Sequence, residues 1–172
     1  MFNILVAIKS SCDYNHFMES LKKKTETTSV LRLGDFWPYQ VTVLADRIAR
    51  RTSRIVKEHE LNLSQWRVLA AIAEVPGRTS VEVVTITPMD KGIVSRATKA
   101  LLEMGFVRRE ASQIDGRVSH LHLTVAGLDI YRELMPRILD VLQDANTTLS
   151  ATAQKRLSTD LSQLMQALPD QR

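Results

Sequence analysis

Lys91, Ser95, Arg96 and Lys99 stand close together in the chain with no acid between them. Read on a helix, where residues three and four apart share a surface, they gather two ammonium groups, a guanidinium and a hydroxyl on one side. Such a face offers charged donors, and its counterpart is an anionic surface of acceptors. A guanidinium fork matches the O6 and N7 edge of guanine, at about 1–3 kcal/mol of discrimination. Ser95, Arg96 and Lys99, with Lys91 near the helix start, are thus candidates for base edges or flanking phosphates, and Arg96 is the foremost. Thr79 and Ser80 open the preceding helix and offer hydroxyl and backbone N–H donors to a phosphate, a contact that positions without specifying.

Local signals say how these residues are held. Thr87 suits a helix cap, Pro88 the first helical position and Asp90 position N3, so the donor-bearing helix is expected to begin close to Pro88. Ile93, Ala97, Ala100, Leu101 and Met104 form its packing stripe, and Thr98 is assigned with the donors to the opposite face. Gly105 ends the helix, and Phe106 to Arg109 reads as a strand. A second strand alternates, with Leu121 and Leu123 on one side and His120 and His122 on the other. Asp115-Gly116 between them is a hairpin signal, and Arg117 sits at the tip, where it would enter or border a minor groove. Upstream, Thr79-Ser80-Val81-Glu82 has the form of a capping box, so a short helix is expected from about Ser80 to Thr85, meeting the next across Ile86-Thr87. Its β-branched run Val81 to Ile86 has weak helix propensity, and tertiary packing must hold it. The fold class expected is mainly α with a small β-ribbon wing: a winged helix-turn-helix whose second helix lies in a major groove of double-stranded DNA.

The order of these pieces resembles the MarR family of bacterial winged-helix regulators. The residues that carry the resemblance are Met89-Asp90-Lys91-Gly92-Ile93-Val94-Ser95-Arg96, then Leu101 with Gly105-Phe106-Val107, then Asp115 and Arg117, followed by Leu121, Leu123, Thr124 and Gly127. It extends upstream to Leu63-Ser64 and Trp66-Arg67-Val68-Leu69 and covers roughly residues 36–168. The resemblance implies a homodimer on a pseudo-palindromic operator and makes the Asp115/Arg117 pair a functional signature, with Asp115 orienting the wing. It also implies a small aromatic or phenolic effector, bound in a cleft between the dimer helices and the winged region, that lowers DNA affinity. Trp37, Tyr39, Arg47, His59 and Trp66 lie on the two helices that would border such a cleft. Trp66, at the first turn of an amphipathic helix, also reads as a core residue.

Length and composition bound the rest. A chain of 172 residues with 44% hydrophobic content can bury a sizeable core, and its net charge of +4 suits a polyanionic partner without demanding one. Cys12 is the only cysteine, so no intrachain disulfide forms and a reducing cytoplasm is the expected setting. No apolar run reaches membrane-spanning length. Residues 1–35 read as a partly flexible extension, and residues 1–17 as either upstream of a native start at Met18 or dispensable.

Residues 36–62 are expected to hold a first dimerisation helix, from near Pro38 to about Glu58, with Val41, Leu44, Ala45, Ile48, Thr52, Ile55 and Val56 as its stripe. Ser64 is the expected cap of a helix over Gln65 to Glu74, ended by Pro76-Gly77. Residues 63–124 make the DNA-binding region. Residues 125–172 hold two further dimerisation helices, one from Val125 to about Thr148 containing Pro136, and one capped by Ser150 with Leu157, Leu161, Leu164, Met165 and Leu168 as its stripe. Two such helices carry more apolar surface than one winged region can cover, and a two-fold partner would bury it.

Other classes find less support. Neither a nucleophile with a paired base nor a phosphate-cradling glycine loop is present, so no enzyme is expected. His120-x-His122 lacks further ligands at a matching spacing, and no metal or cofactor is expected. A winged-helix module that binds protein instead of DNA, and a redox-responsive regulator built on Cys12, are the alternatives.

Overall fold

The computed structural model describes residues 30–115 and 117–169, without the side chains of residues 144–146. Cys12, Met18 and the expectations placed on residues 1–29 lie outside the described residues, as does Gly116 of the hairpin. The chain divides at Val43/Leu44 into two units. In the first, a 3-10 turn at Leu33–Asp35 precedes helix α1 (Trp37–Lys57), and the Gln40 side chain donates back to the Gly34 carbonyl. The second unit holds the rest of α1, then α2 (Leu63–Glu74), α3 (Ser80–Ile86), α4 (Lys91–Glu103), β1 (Val107–Ala111), β2 (Ser119–Leu123), α5 (Val125–Thr147) and α6 (Ala151–Ala167).

Two helix starts differ from expectation. Helix α2 is capped by Asn62 instead of Ser64: Gln65 N–H donates to Asn62 Oδ1 at 3.0 Å while Asn62 N–H donates to Gln65 Oε1 at 2.7 Å. A cap at Ser64 would place Arg67 at N3, which has no acceptor to return the second bond. Helix α4 begins at Lys91 and not at Pro88, because Asp90 is the cap, its Oδ1 accepting from Ile93 N–H at 2.7 Å. Thr87 closes α3 instead of opening α4, since its buried hydroxyl donates to the Val83 carbonyl at 2.7 Å. Met89 is buried in the core, so the link from Thr87 to Asp90 dips inward before the helix starts.

The α4 stripe is also rotated from the expected one. Val94, Ala97, Thr98 and Leu101 are its buried residues, spaced by three, one and three. Thr98, assigned above to the donor face, therefore points into the core. The end of α4 closes as a Schellman motif, with Phe106 N–H bonded to the Leu101 carbonyl at 3.0 Å, Gly105 N–H to that of Leu102 at 3.1 Å, and Gly105 at φ +73°.

The strands pair antiparallel, Val107 with Leu123 and Arg109 with Leu121. This register sets Val107, Arg109, Leu121 and Leu123 on one face, and Arg108, Glu110, His120 and His122 on the other. A third segment joins the ribbon: Gly77 N–H donates to the Leu121 carbonyl and Leu121 N–H to that of Arg78, both at 2.9 Å. The Arg78 guanidinium reaches back to the Ala71 carbonyl at 2.6 Å and Glu74 at 2.7 Å, tying the end of α2 to the ribbon.

The core lies among these elements, with Val56, Val68, Leu69, Ile72, Val83, Val94, Leu101, Leu121 and Leu134 fully buried. The ring of Trp66 stacks on Tyr131, centroids 5.6 Å apart and planes at 14°. Thr124 couples the wing to α5, donating through Oγ1 to the Gly105 carbonyl at 2.6 Å and accepting from Gly127 N–H at 3.0 Å. Helix α5 continues through Pro136. Ser150 caps α6 as expected, but no residue of α6 is buried.

Candidate nucleic-acid interface

Packing of Val94, Ala97, Thr98 and Leu101 against the core leaves Lys91, Gly92, Ser95, Arg96 and Lys99 exposed on the other side of α4. A Cβ on Gly92 would come within 3.4 Å of Arg96 Nη1, so the guanidinium lies back along the helix surface above that glycine. Lys99 faces Glu103 at a loose 3.8 Å, with both side chains largely exposed, a pairing weak enough for phosphate to displace. Lys91, Ser95 and Arg96 have no ion pair or hydrogen bond from their side chains among the described residues. The Asp90 cap fixes where this face begins.

At the wing, Asp115 Oδ1 accepts from Arg117 N–H at 2.9 Å, and Val118 N–H donates to the Asp115 carbonyl at 2.9 Å. This is the turn that an Asx side chain makes with backbone two residues on. It holds the tip while leaving the Arg117 side chain in solvent. Ser112 Oγ accepts from Ile114 and Asp115 N–H at 3.2 and 3.3 Å, and Ile114 beside it is 99% exposed. That exposed apolar residue at a loop tip carries no periodicity that a sequence reading could use.

The two upstream residues divide. Thr79 N–H and Oγ1 both donate to Glu82 Oε2, at 2.7 and 2.9 Å, and Glu82 N–H donates to Thr79 Oγ1 at 3.2 Å. A carboxylate thus already occupies the position a phosphate would take at Thr79. The backbone N–H and then the hydroxyl of Thr79 hold the Glu82 carboxyl below its ordinary value, with smaller help from His120 and Arg78. Ser80 keeps its hydroxyl free of any hydrogen bond among the described residues. On the outer wing face, Arg108 at 2.8 Å lowers the Glu110 carboxyl, with His122 and His120 adding to it. His120 Nδ1 donates to the Gly77 carbonyl at 2.8 Å, which leaves this histidine a structural tie between ribbon and loop.

Beneath the donor face, a cavity of about 370 Å³ lies between α3, α4 and β1, lined by Val81, Val84, Val94, Lys91, Thr98 and Arg109 among others. The Thr98 hydroxyl is buried there without a hydrogen-bond partner among the described residues.

The residues assigned above to an effector cleft are less gathered. Trp37 and Tyr39 belong to the first unit, 48% and 43% exposed. His59 follows α1, with Nε2 3.5 Å from Glu133 and 3.4 Å from Arg137 Nη1. Trp66 is a core residue. Arg47 lines a separate groove on α1 to which neither His59 nor Trp66 contributes.

Known proteins share this geometry. The MarR family model matches residues 59–118, the span from the end of α1 to the wing tip. The transcriptional regulator PetP of Rhodobacter capsulatus is 30% identical over 81 residues, which is 47% of this chain and 49% of PetP. The transcriptional repressor IacR of Pseudomonas putida is 27% identical over 122 residues, covering 66% of this chain and 72% of IacR. The matched part of the chain thus spans about half the length of the first and nearly three quarters of the second. Among solved structures, a MarR-family regulator from Silicibacter pomeroyi superposes with TM-score 0.74 at 20% identity, over 80% of this chain and 93% of that one. A MarR variant from E. coli complexed with operator DNA superposes with TM-score 0.65 at 21% identity, over 73% and 91%. The architecture is the winged helix-turn-helix, and over residues 59–118 the chain is similar to the MarR family.

Proposed function

We propose that the chain is a dimeric, sequence-specific DNA-binding regulator of transcription, acting as a repressor on a pseudo-palindromic operator in the cytoplasm. The observation that carries this reading is the exposed face of α4, where Lys91, Ser95, Arg96 and Lys99 stand opposite a buried stripe, joined by an exposed Arg117 at the wing tip. Arg96 reads a base edge, Lys91 and Lys99 bind phosphates, Ser80 anchors the backbone, and Arg117 borders the minor groove. The apolar rows of α5 and α6 support pairing of two copies, since Leu157, Leu164, Met165 and Leu168 are 45%, 37%, 68% and 69% exposed. Among the described residues, no helix is long and apolar enough to cross a membrane.

DNA affinity is lowered by a small aromatic or phenolic ligand, with Arg47 in its groove on α1 as the candidate contact. A ligand acts this way only by binding the DNA-competent and DNA-incompetent states unequally. Electrophoretic retardation of the DNA flanking the chain's own gene, in excess competitor, tests the reading: a retarded complex clearly weakened by Arg96→Ala supports it. Retention of the same affinity on unrelated DNA refutes sequence-specific binding.

A further inference from the structure

Helix α1 carries a feature that DNA binding leaves unused. Arg47, Arg50, Arg51 and Arg54 line one groove of about 340 Å³, whose remaining walls are Leu44 and Ile48 of α1 and Leu142 of α5. Their spacing runs the four guanidiniums along one side of the helix, over roughly 10 Å of its length. One acid answers them, Asp46, paired with Arg50. Arg51 donates to the Val141 carbonyl at 3.3 Å, a neutral acceptor. Arg47 and Arg54 have no ion pair among the described residues.

We propose that this groove binds a compact organic anion carrying at least two negative charges on an apolar body, of the phosphate monoester class. Like charges this close repel one another, and an anion between them relieves that repulsion. Guanidinium forks match phosphate oxygens two at a time. The leucine and isoleucine walls accept the apolar part, and the volume falls within the range of about 300–1,000 Å³ usual for small-molecule sites. A carboxylate monoanion would leave most of the charge unanswered. A second copy of the chain is a poorer occupant if it docks through α6, which offers Lys155, Arg156 and a single acid, Asp160, already 3.7 Å from Arg156. This inference deepens the effector assignment and rests on the regulatory reading only in calling the anion an effector; binding itself is independent of it.

Calorimetric titration of the full chain with 2-naphthyl phosphate, with 2-naphthoate and inorganic phosphate as controls, tests the site. Saturable binding of the naphthyl phosphate is expected, tighter than either control. The double variant Arg47→Gln/Arg54→Gln should weaken it about tenfold or more, while Lys155→Gln/Arg156→Gln on α6 should not change it. Both pairs are exposed, and circular dichroism confirms that each variant folds. Absence of saturable binding overturns the proposal, as does equal loss in the two double variants, which marks a nonspecific basic surface. Absence of probe binding together with a dimer that dissociates in Arg47→Gln/Arg54→Gln also overturns it and assigns the groove to contact between copies. DNA binding of the unsubstituted chain, measured on the same preparation, reports separately on the regulatory reading.

Discussion

From Leu63 to Leu123 each helix buries side chains against another element, and Leu69, Ile72, Leu101 and Leu121 lie fully inside. From Ala151 to Ala167 no side chain is buried, and Leu157, Leu164 and Met165 remain 45%, 37% and 68% exposed. Both regions carry helical apolar stripes, so periodicity alone does not separate them. The difference is what covers the stripe: the winged region supplies its own neighbours, whereas α6 has an apolar row with no counterpart among the described residues. Among the described residues, the winged region is thus self-sufficient in its packing, and α6 is not.

The widest contrast should come from matched truncations. Leu101→Ala in the winged region removes a fully buried side chain and should cost about 2–5 kcal/mol in urea denaturation. Leu157→Ala on α6 should leave the denaturation of the isolated chain nearly unchanged, and equal losses would erase the distinction. Gly127→Ala belongs with the first, because its Cβ would fall 1.9 Å from the Phe106 carbonyl oxygen, forcing α5 away from the wing. Next in size, Leu157→Asp/Leu161→Asp should shift sedimentation from dimer to monomer, a loss on the scale of about 2 kcal/mol or more expected for central interface residues. A monomeric unsubstituted chain would show that the exposed row is not a dimer surface.

Within the winged region, Thr79→Ala removes the hydroxyl of the α3 capping box and should cost about 0.5–2 kcal/mol, read by denaturation. Smaller still is the pH effect of its partner. The Glu82 carboxyl is held below its ordinary value of 4.5 in the folded chain, so its contribution is present above that value and lost as pH falls through the lowered one. Glu82→Gln should therefore flatten part of the acid limb of the stability curve. An unchanged limb would mean that the Glu82 carboxylate does not contribute to folded stability.

What could be read from the sequence was what is local. The Thr79/Glu82 box, the Gly105 stop and the Ser150 cap each depend on residues within a turn, and each forms as expected. The start of α4 was misread because Thr87-Pro88 and Asp90 are competing start signals three residues apart. Burial of Met89 and the bond from Thr87 to Val83 favour the later one, and both depend on packing. Thr98 sits at the margin of the stripe, where a small rotation moves a side chain from solvent to core. The third ribbon segment forms through backbone bonds from Gly77 and Arg78 to Leu121, distant in sequence, and no spacing announces it. Of the candidate site, the donors of α4 were legible because one helix holds them all. The effector residues were drawn from separate elements, and Trp66 shows how readily an aromatic at a helix start belongs to the core.

If the exposed face of α4 reads DNA, a salt series of binding to the duplex flanking the chain's own gene will show it, comparing the unsubstituted chain with Arg96→Ala and Arg117→Ala. Binding should be nanomolar, survive competitor DNA and fall linearly in log–log form as salt rises. Arg96→Ala should cost about 1–3 kcal/mol and relax discrimination between sequences, with a lesser loss for Arg117→Ala. Weak binding, indifferent to salt and to both substitutions, would contradict that reading and favour a winged helix that docks protein.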